Sequence, residues 1–158
     1  MHNDQWQMTN EQMSELTEVG REVEAMSDVQ RWLLRESVGT GYNIYERVFQ
    51  FAVRVVRFVR TFPRTLDAVE VGRQLVRSAT SVGANLEEAD GATTRRDFLY
   101  RLSLCRKEAR ETRFWLRLCQ ASEIGDAAEA NSLYQESDEI VRILSGIIAS
   151  TKRKMNEQ

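Results

Sequence analysis

Apolar residues recur along this chain at the spacing of helices, and they divide residues 42–158 into four segments. The third segment is the most regular. From Arg95 to about Gln120, Phe98, Leu102, Cys105, Ala109, Thr112 and Leu116 share one face at about 100° per residue. Arg95, Arg106, Arg110, Arg113 and Arg117 fall in a band about 60° wide beside that face. As a helix, this row of arginines would be about 33 Å long. A second apolar line, Tyr100, Leu104, Trp115 and Leu118, lies opposite the arginines with Glu108 and Glu111 among it. One stripe suffices for a bundle core. A second points to contact with another subunit or with an N-terminal extension.

The first segment predicts a helix from Tyr42 to Thr61, with Tyr45, Val48, Phe49, Ala52, Val56 and Val59 on its core face. Phe51 and Phe58 then point elsewhere, near Arg47 and Arg54, and Phe62-Pro63 ends the helix. The second segment, Leu66 to Ala89, has the stripe Ala68, Gly72, Leu75, Ala79, Val82 and Leu86. Its middle is rich in small residues (Ser78, Ala79, Ser81, Gly83, Ala84). A helical glycine costs about 1 kcal/mol, so a close approach to a neighbouring helix is expected there. Asp90-Gly91 closes this helix, and Thr93 or Thr94 caps the next. After Ile124-Gly125, Asp126 with Glu129 opens the fourth helix. Its stripe is Leu133, Ile140, Leu144 and Ile147, flanked by Val141 and Ile148, and Lys152-Arg153-Lys154 suits its C-terminal turn.

Four long helices with short connections predict an all-α fold, an antiparallel up-down four-helix bundle over residues 41–158. Residues 1–40 read as an acidic N-terminal extension, partly helical. Within it, residues 9–36 form an amphipathic pattern with a thin stripe of Leu16, Val19, Val23, Met26 and Leu33, and Gly39-Thr40-Gly41 breaks it. Asp4 and the lack of an early apolar run argue against a signal peptide. No apolar stretch is long enough for a membrane span, so a cytoplasmic protein is expected.

Charge changes the picture through its distribution. The net charge of −2 excludes a uniformly basic chain. Yet residues 1–46 carry −6, residues 47–117 carry +7 and residues 118–158 carry −3. The basic middle suits a polyanion. It suits equally well ion pairing with the acidic ends, within one chain or between subunits.

Candidate chemistry is sparse. The lone histidine, His2, leaves no imidazole for a Ser-His-Asp or Cys-His arrangement. Nor are there Glu-x-x-His pairs of the sort that hold di-iron centres in bundles. There is no Gly-rich phosphate loop and no zinc spacing. Cys105 and Cys119 lie about 21 Å apart along one helix, too far to bridge, and both fall near the apolar face. They read as buried free thiols of a reducing compartment. No enzymatic activity, metal or cofactor is expected. The arginines remain: a guanidinium grips phosphate in bidentate fashion, and a row of them can follow a nucleic-acid backbone without reading its sequence. Arg73 and Arg77 on the second helix widen that patch, and Phe114 beside it is placed to stack on a base. Arginines beside a core stripe can also simply cover it with their aliphatic stems.

Several runs together resemble a known family. Arg77-Ser78-Ala79-Thr80-Ser81-Val82-Gly83-Ala84-Asn85, then Glu88-Ala89, Asp97-Phe98 and Lys107-Glu108-Ala109-Arg110-Glu111-Thr112-Arg113-Phe114-Trp115-Leu116, look like the bacterial four-helix bundle proteins of ribosomal RNA intervening sequences. The resemblance covers about Tyr45 to Met155. It implies a ring-shaped homopentamer. It also implies kinship with the accessory variability proteins of diversity-generating retroelements, which bind nucleic acid and reverse transcriptase. No catalytic residue comes with it. Lys107, Arg110 and Arg113 carry over as polyanion contacts, and Asn85, Glu88, Glu108 and Glu111 as helix or subunit contacts, beside Tyr100 and Trp115 from the second apolar line. The acidic extension departs from the usual short family member and is expected to shield the basic patch. Two functions follow: RNA or DNA binding through the arginine face, or a scaffold for a protein partner such as a reverse transcriptase, without nucleic-acid contact.

Overall fold

The structure, a computed structural model, describes residues 43–156. The extension over residues 1–40, as a domain and as a helix, lies outside the described residues. Four helices follow one another: α1 (Ile44–Val59), α2 (Leu66–Asp90), α3 (Arg95–Ala121) and α4 (Ala127–Asn156). Consecutive helices pack side by side, and α4 returns against α1. This is the expected antiparallel four-helix bundle, since connections of four to six residues leave room only for reversal. No strand occurs among the described residues. No helix among them is long and apolar enough to cross a membrane.

Side chains satisfy the first free amides of three helices. Asn43 Oδ1 accepts from the Tyr45 amide at 2.9 Å, Thr94 Oγ1 from Asp97 at 3.1 Å, and Asp126 Oδ1 from Glu129 at 2.7 Å. Thr94, not Thr93, is therefore the cap of α3.

The core stripes of α2, α3 and α4 are those the spacing predicts. Leu75, Ala79, Val82 and Leu86 meet Phe98, Leu102, Cys105, Ala109 and Leu116, with Leu133, Ile140 and Leu144 completing the interior. The α2–α3 contact is close enough for small polar groups to bond across it. Thr112 Oγ1 lies 3.0 Å from Ser78 Oγ, and the Cys105 thiol donates to the Val82 carbonyl at 3.2 Å. Ser137 Oγ donates to the Ala109 carbonyl across α3–α4 at 2.9 Å. Every one of these hydroxyls is buried and bonded, so none leaves an uncompensated polar group inside.

Two expectations need correction. The first concerns α1, whose buried residues are Ile44, Val48, Phe51, Val55 and Phe58. The helix is turned by about 90° from the face its spacing suggests. Phe51 is 1% exposed, whereas Phe49 is 58% exposed. Both faces of α1 are apolar, so periodicity alone does not choose between them. The observed rotation buries two large rings and brings Arg47 and Arg54 onto acidic residues of α4. The second concerns glycine. Gly72 is where a neighbour approaches closely: an added Cβ would lie 2.8 Å from Val59 Cγ1. At Gly83 a Cβ would meet only Val48 Cγ1, at an ordinary 3.8 Å.

Candidate nucleic-acid interface

The bundle divides its arginines into two populations. One population laces the helices together. Arg47 reaches Glu136 at 2.6 Å and also pairs with Glu139; Arg54 meets Glu129 at 3.0 Å. Arg77 of α2 pairs with Glu111 of α3, Arg101 of α3 with Glu88 of α2, and Arg113 of α3 with Asp138 of α4. Asp138 is shared, for it also pairs with Arg142 one turn along α4. Arg73 pairs within its own helix with Glu70 at 2.7 Å. The carboxylates acting on Arg47, Glu136 foremost, stabilise its charged form and raise its pKa.

Others have no ion pair among the described residues: Arg57, Arg60 and Arg64 around the end of α1, and a group on α3. Lys107, Arg110 and Arg117 are exposed and Arg106 is half-buried. Among the described residues, none of the four has an ion pair. They occupy about 100° of the helix surface over about 16 Å of its length. Phe114 stands on the same arc, 56% exposed, its ring edge-on to Trp115 at 5.0 Å between centroids. Of the eight cations expected to face a polyanion, Arg106, Lys107, Arg110 and Arg117 thus stand together without carboxylate partners. Arg73, Arg77 and Arg113 are engaged, and Arg95 is half-buried at the start of α3.

The residues expected at helix or subunit contacts are dispersed. Glu88 and Glu111 each bridge α2 and α3. Asn85 Nδ2 donates back to the Ser81 carbonyl at 2.8 Å, within its own helix. Trp115 Nε1 lies 3.4 Å from Glu111 Oε1 and half-buries its ring. Tyr100 is 59% exposed. Glu108 keeps one buried carboxylate oxygen without a hydrogen-bond partner.

Charge distribution anticipated pairing of the basic middle with the acidic C-terminal part, but sequence reasoning did not name the α1–α4 pairs. Their signal was present, since Arg47 and Arg54 are seven residues apart, as are Glu129 and Glu136. Two helices running in opposite directions bring such repeats into register. A second feature follows from the rotation of α1. Tyr45, Phe49, Ala52 and Val56 line an open apolar groove of about 560 Å³ against Thr80, Gly83 and Ala84 of α2, with Arg57 and Arg60 towards one end and Glu87 near the other. The Tyr45 hydroxyl donates to Asp90 at 3.2 Å; burial, then Asp90, raises its pKa.

The thiols are sequestered. Burial pushes Cys105 up to about 12 and Cys119 up to about 11. No three His, Cys, Asp or Glu side chains come together among the described residues in a way that could hold a metal.

Fold and surface together define a small antiparallel four-helix bundle with helices tied by ion pairs and, on α3, a group of cations without ion pairs among the described residues. Residues 41–146 match the model of the 23S rRNA-intervening sequence protein family, and the chain belongs to that family. It is also similar to a crystal structure from Bacteroides thetaiotaomicron, described as a protein with unknown function from the S23 ribosomal protein family. That likeness has 33% identity and a TM-score of 0.60, and covers 66% of this chain and 97% of the other. No curated protein matches the sequence.

Proposed function

We propose that this protein is a non-enzymatic oligomeric bundle that binds RNA or DNA through the outer face of α3. The observation that carries the reading is the group Arg106, Lys107, Arg110 and Arg117, beside the exposed Phe114, in a bundle that pairs many of its other arginines. Cations left without carboxylates on one helix face are available to phosphates, and an adjacent ring offers a base a surface to stack on. The relative's placement in a ribosomal protein family points the same way. Arg73, Arg77, Arg95 and Arg113 form the margin of the face, where carboxylates compete with phosphate. The non-enzymatic reading rests on the side-chain inventory: one histidine, at position 2, and two thiols raised well above neutrality. The exposed Tyr100 supports assembly through the outer side of α3, and the family resemblance supplies the pentamer.

The test is binding of single-stranded RNA and DNA across a salt series, by the wild type and by the triple variant Lys107→Glu, Arg110→Glu, Arg117→Glu. Each cation withdrawn from a phosphate makes the slope of log K against log salt shallower by about 0.7–0.9. The triple variant therefore has a slope shallower by about 2 and an unchanged helix content. Arg113→Glu is a poor probe, because it sets a carboxylate against Asp138. Equal binding by both proteins refutes the assignment. The exposed Tyr100 and Phe114 favour a second reading, a scaffold for a protein partner. Salt-insensitive capture of a partner, abolished in Tyr100→Glu and kept in the triple variant, identifies that case.

A further inference from the structure

The apolar groove between α1 and α2 has the size and the charge order to hold a helix. Its floor is small and apolar, and Phe49 stands 58% exposed at its side. Arg57 and Arg60 lie towards the C-terminal end of α1, and Glu87 near its N-terminal end. The 42 residues before Asn43 lead into α1 beside Tyr45, at the acidic end of the groove. We propose that this groove is the seat of the chain's own N-terminal segment, which turns at Gly39-Thr40-Gly41 and runs back along α1 as an amphipathic helix.

Three observations carry this. The first is length. A helix from Val38 back to Glu22 spans about 24 Å, and Tyr45 to Arg60 spans about 22 Å. A helix reversed at the glycines therefore brings Glu22 to the level of Arg57 and Arg60. The second is pattern. Val19, Val23, Met26 and Leu33 share one face at helical spacing, and Glu18 and Glu22 flank that face on one side. The third is charge order. The far part of the segment is net acidic, with Arg21 among Glu15, Glu18, Glu22, Glu24 and Asp28, and meets the basic end of the groove, whereas the part near the glycines, Arg31, Arg35 and Glu36, is net basic and lies at the end that carries Glu87. The acidic extension is thereby directed to α1 and leaves the α3 cations open.

The test uses the full chain carrying Gln30→Cys with Thr80→Cys, treated with a short bismaleimide. Cys105 and Cys119 are fully buried and do not compete. The expected product is an intrachain cross-link, seen as faster gel migration at unchanged mass. A control pair, Gln30→Cys with Lys107→Cys, gives none. Arg57→Glu with Arg60→Glu reduces the cross-linking rate at least tenfold, and adding Glu18→Arg and Glu22→Arg restores it. No intrachain product, or products only between chains, overturns the proposal. The interchain outcome assigns the groove to a second copy.

Discussion

The turn between α3 and α4 offers a sharp test of the packing, because two residues in it have left-handed backbone, one an unstrained glycine and the other a strained glutamate. Gly125 has φ +80°, a left-handed conformation, and its missing Cβ faces two rings. An added methyl would lie 2.7 Å from Phe58 Cε2 and 2.7 Å from Phe62 Cε1. Those rings are locked edge to face, 4.9 Å between centroids, and Phe58 is buried. Gly125→Ala thus incurs about 1–2 kcal/mol for the left-handed backbone and about 1–3 kcal/mol for overpacking. For a chain of this size the sum lowers Tm by on the order of 10 °C. Glu123 also has a positive φ, 55°, but is exposed. Glu123→Gly removes its strain at some entropic cost and leaves stability unchanged or raised by up to about 1 kcal/mol. Thermal unfolding followed by far-UV circular dichroism, with urea titration as a second measure, reads both variants. If Gly125→Ala melts with the wild type, or Glu123→Gly falls as far as Gly125→Ala, the account of this turn is wrong.

Other outcomes follow from the same structure. Phe51→Ala costs about 3–5 kcal/mol in urea unfolding; a loss below about 1 kcal/mol returns α1 to the face its periodicity suggests. Asp138→Asn weakens the grip on Arg113 and Arg142. It costs about 1–2 kcal/mol of stability and tightens nucleic-acid binding, since Arg113 becomes available; weaker binding contradicts the proposed face. The native thiols stay inert to a thiol reagent at pH 8 and react once urea unfolds the chain. Because folding raises both thiol pKa values from 9.0, to about 12 and about 11, their contribution to stability is intact below pH 9. It is lost progressively as pH rises towards 11–12, where unfolded thiols already ionise. Unfolding curves that show no such decline above pH 9 in the wild type relative to Cys105→Ala with Cys119→Ala dispute the burial of these sulfurs.

Among the described residues, the sequence by itself determined the number of helices, nearly all their ends and the buried faces of α2, α3 and α4. In α2 and α4 a single apolar stripe ran beside polar residues, and in α3 the second apolar line was interrupted by Glu108 and Glu111, so one rotation buried the continuous stripe. Of the caps, the sequence named Asp126 and left Thr93 and Thr94 open; the structure selects Thr94 and adds Asn43, each bonding its own first turn. The tertiary structure alone decided the rotation of α1, because that helix is apolar on two sides and its choice depends on which partners stand opposite. Phe51 and Phe58 fill the space α2 and α4 leave, and Arg47 and Arg54 find Glu136 and Glu129. The same holds for the basic band. Spacing placed five arginines of α3 in one row, but whether a guanidinium meets a carboxylate depends on the neighbouring helix. Asp138 claims Arg113 and leaves Arg110 and Arg117 without an ion pair among the described residues. A helix's own periodicity records which side is apolar; the charge it presents is set by its neighbours, since an ion pair needs two chain segments brought within a few ångströms.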